Sequence, residues 1–287
     1  MADGGQAIVC LARDNVRGEA VVVKVARTCS EKLTRQFQQE SQLLAKARHP
    51  QIAAKLDYFE RAGRPFLVLE YVKGKTLAAK LKSDGPLPAT SAARISEQIA
   101  GAIQYVHEGM GCDGKVLIYR DLKPAHIILQ DRDGTPRLLD FGMASDEASA
   151  TGLESAAHRG TLEYMSPEQA RAFLHGNSTV DRRSDIWALG AVLFELLTAQ
   201  RLFGTRPNRE GFASAEEWSR AIEDYLGPRT RDHGDWLVPI RESAIPEPLR
   251  KIIERCVENN PGARHRSAGE LALALRQWRE SVEVGAD

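Results

Sequence analysis

At 287 residues with 43% hydrophobic side chains, the chain can bury one large core or two smaller lobes around a cleft, which excludes a disordered protein. Its 39 Lys plus Arg balance 39 Asp plus Glu, so no overall field draws it to nucleic acid or an anionic membrane, and charged recognition must come from local patches. Cys10, Cys29, Cys112 and Cys256 lack Cys-x-x-Cys spacing, which argues against a zinc site or disulfide framework and for a reducing, cytoplasmic setting.

The first third reads as strand-rich: Ile8–Ala12 and Ala20–Val25 flank a polar Arg13-Asp14-Asn15 turn. A helix follows, with Leu33, Phe37, Glu40, Leu44 and Ala47 on one stripe. Glu40 interrupts that apolar stripe, and a carboxylate there needs a cation. Phe66–Val72 is another apolar strand, and Lys73-Gly74-Lys75 loosens the chain into a connector where a small sheet lobe gives way to a helical one. Beyond it, Ile95, Ile99, Ala102, Ile103 and Val106 form a helical stripe. Ile127–Gln130 and Arg137–Leu139 read as the arms of a β-hairpin around a turn at Asp131–Pro136. A hairpin returns its ends to one place, so Asp140 is expected beside His126 and close to Asp121. Two carboxylates and a Lys then converge, which suits a metal-bound polyphosphate and a hydroxyl nucleophile. Ile186–Leu197 is too short to span a bilayer and carries Glu195, so it reads as a buried helix, with no targeting segment elsewhere. Leu249–Val257 and Leu271–Trp278 read as further helices, and no internal repeat is visible.

Three spaced motifs carry a family resemblance over roughly residues 2 to 278: Tyr119-Arg120-Asp121 with Lys123, Asp140-Phe141-Gly142, and Ser166-Pro167-Glu168. In this order they resemble a protein Ser/Thr kinase catalytic domain of the bacterial Hanks-type group. The resemblance implies an α+β, bilobal fold with a small β-rich lobe (residues 1–72, its first strand apparently missing) and a larger helical lobe (residues 73–287), together one kinase domain. It implies ATP and Mg²⁺, with Mn²⁺ as an alternative, and a protein substrate offering a Ser or Thr hydroxyl, self-phosphorylation included. No nucleic-acid partner and no membrane segment are expected.

By the same resemblance, Lys24 would contact the α- and β-phosphates, paired with Glu40. Asp121 would be the base that accepts the hydroxyl proton, and Lys123 would neutralise charge on the transferred phosphoryl oxygens. Asp140 would hold the metal. Gly4 and Val9 fall in the phosphate-covering loop, Val22 lies above the adenine ring, and Glu70 and Val72 form the hinge with their backbone groups. Thr151, Ser155 and Thr161 lie in the loop whose phosphorylation would give Arg120 a partner. Glu168, Asp185 and Arg264 match structural anchors of the large lobe.

Two departures stand out. His126 replaces the Asn expected at the second metal position, and imidazole is a poor Mg²⁺ ligand. Three readings follow: His126 only hydrogen-bonds, it binds a softer metal such as Mn²⁺, or catalysis is lost. Ala2 to Val9 keeps one glycine of the three-glycine loop pattern, so backbone approach to phosphates is restricted. Beside a protein kinase, a pseudokinase acting as a nucleotide-sensing or protein-binding module and a small-molecule phosphotransferase remain open. Gly109–Lys115 and Arg206–Trp236 read as docking surfaces or as tolerated surface insertions.

Overall fold

The structure is a computed structural model that describes residues 2–4, 7–111, 116–146, 162–176, 179–207, 211–230 and 237–284. Five antiparallel strands form the first sheet: β1 (Ala2–Gly4), β2 (Ala7–Arg13), β3 (Ala20–Ala26), β4 (Lys55–Arg61) and β5 (Arg64–Glu70), in the order β1-β2-β3-β5-β4. The expectation that the first strand is missing is corrected here. Ala2–Gly4 pairs with Ala7–Val9, because ladder hydrogen bonds come from the backbone and need no apolar side chains. β4 was not foreseen: as a sheet edge it carries Lys55, Asp57, Glu60 and Arg61, a charged pattern that hides a strand from a hydrophobicity reading.

Helix α1 (Glu31–Lys46) starts where the Ser30 hydroxyl accepts from the Leu33 N–H, and it buries Leu33, Phe37, Glu40 and Leu44 along one face. A short strand β6 (Gly74–Thr76) then leads into α2 (Leu77–Asp84) and α3 (Ala89–His107). Strand β7 (Leu117–Ile118) precedes the hairpin β8 (Ile127–Gln130) and β9 (Pro136–Leu138), and β10 (Ser145–Asp146) pairs back onto β7. β6 completes a three-stranded sheet with the hairpin. Gly74 is needed there, since a Cβ would collide with the carbonyl of Leu129 on the paired strand.

The remaining elements are helices α4 (Pro167–His175), α5 (Arg183–Thr198), α6 (Ala215–Thr230), α7 (Leu237–Arg241), α8 (Glu247–Cys256) and α9 (Ala268–Val284). A capping box starts α4: the Ser166 hydroxyl accepts from Gln169 N–H while the Gln169 side chain accepts from Ser166 N–H. Helix α5 is buried from Ser184 to Leu196, as its nearly unbroken apolar run requires, and serves as the hub against which α3 and α8 pack. The apolar core runs without a break from Leu33 and Phe37 through Leu138 and Phe141 to Ile186 and Trp278. Two hydrogen bonds tie the loop before β4 to the hairpin: Leu138 N–H donates to Gln51 O (2.6 Å) and Ala53 N–H to Leu138 O (3.0 Å).

Candidate active site

Lys24 leaves β3 and meets α1. Its Nζ donates to Glu40 Oε1 (2.9 Å) and Oε2 (2.8 Å), so the carboxylate on the apolar stripe has its cation. The same Nζ donates to Asp140 Oδ1 at 2.7 Å, tying the sheet to the segment after β9. Burial pushes the Glu40 carboxyl up against the pull of Lys24, whereas burial of Asp140 is outweighed by the Lys24 charge, which holds it well below the usual range. Lys24, between two carboxylates, stays charged and is pushed above its ordinary value although burial opposes this. Gly142 permits the close approach: a Cβ there would stand 3.1 Å from Asp140 Oδ1, 3.2 Å from Glu40 Oε2 and 3.3 Å from Lys24 Nζ.

The hairpin sets Asp140 where its ends predict. Leu139 N–H donates to His126 O at 2.9 Å, and His126 Nε2 lies 3.7 Å from Asp140 Oδ2. On its other side, His126 Nδ1 is 3.1 Å from the Asp121 carbonyl and 3.4 Å from Asp121 Oδ2. A carbonyl only accepts, so Nδ1 carries the proton and Nε2 turns a lone pair toward Asp140. Burial lowers the imidazole below its ordinary value, against the two aspartates, and favours the neutral ring. Lys123 Nζ sits 3.1 Å from both Asp121 oxygens. Lys24, Glu40, Asp140, His126, Asp121 and Lys123 thus form one chain of contacts.

Asp185, in the first turn of α5, holds this loop from beneath. It accepts from Tyr119 N–H (Oδ2, 2.8 Å) and Arg120 N–H (Oδ1, 2.8 Å), with His107 Nε2 2.9 Å from Oδ2. Arg120 and Asp140 both adopt left-handed backbone conformations, φ 66° and 53°, sparsely populated for non-glycine residues and held by these contacts. Tyr119 donates its hydroxyl to Leu139 O and meets Phe141 edge-on with ring centroids 5.0 Å apart. Among the described residues, Arg120 Nε and Nη2 are buried without a partner. Further out, Arg264 Nη1 and Nη2 donate to the two Glu168 oxygens at 2.7 and 2.8 Å, and Ser184 donates to Glu168 Oε1 at 2.6 Å.

The other expected site residues that the structure describes lie on or beside the first sheet. Gly4 pairs opposite Ala7 in β1, Val9 opposite Lys24, and Val22 opposite Leu69. The Glu70 carboxylate turns to Ala54 N–H (2.8 Å) and Arg137, and Val72 is buried. Thr151, Ser155 and Thr161 lie outside the described residues. His107, which braces Asp185, was missed; its signal was a histidine continuing the α3 stripe four residues after Ile103.

The Protein kinase domain family model matches residues 1–272. The chain belongs to the protein kinase family. Its relatives include Serine/threonine-protein kinase PrkC of Bacillus subtilis, 32% identical over 276 residues, covering 95% of this chain and 38% of the relative. Serine/threonine-protein kinase PknB of Mycobacterium leprae is 33% identical over 281 residues (95% and 41%), and pkn3 of Myxococcus xanthus 31% over 287 residues (96% and 48%). The kinase domain therefore spans less than half the length of these relatives. Membership implies use of ATP and a divalent metal. Among the described residues, no group of three or more His, Cys, Asp or Glu could hold a metal by itself, and no helix is long and apolar enough to cross a membrane. A kinase metal shared with phosphate oxygens asks for less, and Asp140 fits as a hard carboxylate ligand. His126 fits Mg²⁺ poorly.

Proposed function

We propose that this domain transfers the γ-phosphoryl group of ATP to a Ser or Thr hydroxyl of a protein. The observation that carries the reading is the contact chain from Lys24–Glu40 through Asp140 and His126 to the Asp121–Lys123 pair. Asp121 accepts the hydroxyl proton as the oxygen attacks, and Lys123 beside it neutralises charge gathering on the moving phosphoryl oxygens. Lys24, fixed by Glu40, holds the α- and β-phosphates. Asp140 holds the divalent ion, which when bound neutralises the phosphates and aligns them. For that ion we favour Mg²⁺ bound weakly, or Mn²⁺, because His126 replaces an amide oxygen. Val9 and Val22 line the adenine side, Gly4 belongs to the phosphate-covering turn, and the main chain at Glu70 and Val72 serves as hinge. The two lobes divide after Val72, a reading supported by the first sheet ending at Glu70 and by α2 and α3 following from Leu77 onward. The buried, unpartnered guanidinium nitrogens of Arg120 support a phosphate on Thr151 or Ser155, added by the kinase itself or another; the cysteine spacing supports action in the cytoplasm.

A second reading, a pseudokinase that binds nucleotide or protein without turnover, is favoured by His126 and by the glycine-poor stretch Ala2 to Val9. Labelled ATP with Mg²⁺ or Mn²⁺ decides between them. Phosphate on protein Ser or Thr, falling about 100-fold or more in Asp121→Asn, is the expected result; equal signal from both proteins would sink the assignment of Asp121.

A further inference from the structure

A cavity of about 850 Å³ opens beside Lys123, on the side away from Lys24 and Glu40, neither of which lines it. Its wall takes Lys82 from α2, Lys123 from the loop after β7, Glu163 and Tyr164 from the turn before α4, and Glu195 and Arg201 from the end of α5 and the turn beyond it. The acids are sunk: the Glu163 and Glu195 side chains are 6% and 11% exposed, whereas Arg201 is 40% exposed. Arg201 covers both, with Nη1 3.1 Å from Glu163 Oε1 and Nε 4.0 Å from Glu195 Oε1. Arg206 adds a second cation 3.8 Å from Glu163, and the Tyr164 hydroxyl donates to Glu195 Oε2 at 2.6 Å. Lys82 is exposed on the rim. The carboxylates are thus compensated from within the protein, and the charge offered to an incoming chain is positive.

We propose that this cavity is a specificity subsite that accepts an acidic residue of the substrate, Asp or Glu, a few positions from the acceptor hydroxyl, with Arg201 and Lys82 as the recognising cations. The inference rests on the phosphoryl-transfer reading for naming the bound peptide a substrate. A basic residue entering here meets two exposed cations, and to reach the carboxylates it must displace Arg201 from both. Glu163 Oε2, buried without a hydrogen-bond partner among the described residues, is the acceptor such a residue would claim, yet it lies in the carboxylate that Arg201 covers.

Binding of fluorescent peptides tests the subsite apart from catalysis. Peptides with Ala at the acceptor and Asp, Gln or Lys on either side are titrated by anisotropy at low salt, and matching Ser peptides are assayed with ATP. Acidic peptides are expected to bind about tenfold tighter than basic ones. Lys82→Glu, a change on an exposed helix face, and Arg201→Gln should each narrow that ratio. The preference surviving in the Ala peptides while no Ser peptide is phosphorylated would keep the subsite and remove the phosphoryl-transfer reading. Equal affinity for all three peptides, tighter binding of the basic one, or an unchanged ratio in Lys82→Glu overturns the proposal.

Discussion

His126 stands where the kinase resemblance leads one to expect Asn, and its surroundings limit what it can do. With Nδ1 committed to the Asp121 carbonyl, the ring braces the Asp121 loop and turns Nε2 toward Asp140, whether or not it ligates a metal. If imidazole stands in for a hard oxygen, replacing it with Asn should lower the half-saturating Mg²⁺ concentration by roughly tenfold and reduce any advantage of Mn²⁺. Metal titrations of phosphorylation rate check this. Superimposed curves for wild type and His126→Asn would leave His126 with its hydrogen bond alone.

Among the elements, α5 carries the most structure. Its N-terminal turn holds the loop of Tyr119 and Arg120 through Asp185, and its middle lies against α8 closely enough that Gly190 has no room for a side chain. A Cβ at Gly190 would land on Cys256 Cβ and crowd Val257. Gly190→Ala should therefore cost about 1–3 kcal/mol through overpacking, read as a lower urea midpoint at unchanged m-value. α4 depends on a different device. Glu168 is nearly fully buried between Arg264 and Ser184, so Glu168→Gln leaves a buried guanidinium without its countercharge and should cost on the order of 3 kcal/mol. Calorimetry showing no fall in Tm for Glu168→Gln would mean that the pair adds nothing net to stability.

For the whole molecule, equal numbers of acidic and basic side chains make stability near neutral pH depend on specific pairs rather than net charge. Burial raises the Glu168 carboxyl, but the hydrogen bond and charge of Arg264 prevail and hold it below its ordinary value near 4.5. Asp181, likewise opposed by burial, is held down by Arg183. A carboxyl depressed in the folded state binds fewer protons there than in the unfolded chain at acid pH, so its stabilisation is complete above the unfolded value and lost as pH falls through the folded one. Unfolding free energy should thus decline as pH falls below about 4.5, with a shallower decline in Glu168→Gln. Urea titrations at each pH measure both slopes; a decline equally steep in that variant would move the acid sensitivity to other groups.

The sequence by itself determined the family, the hairpin and the Glu40 problem, because each is local: motif spacing, two apolar arms around a turn, and one carboxylate on an apolar stripe. Helices α3, α5, α8 and α9 were legible for the same reason, since burying one face forces a period that the residues must display. Tertiary structure decided the rest. The β1 pairing, the edge strand β4 and the bracing of Asp185 by His107 depend on backbone groups and distant partners, which leave little trace in local hydrophobicity. The tautomer of His126 and the covering of Glu163 and Glu195 by Arg201 emerge only once separate segments share one space. Charge pairing across 38 positions of chain, as between Glu163 and Arg201, is not periodic, so only the fold could reveal which acids face the cleft and which are already spoken for.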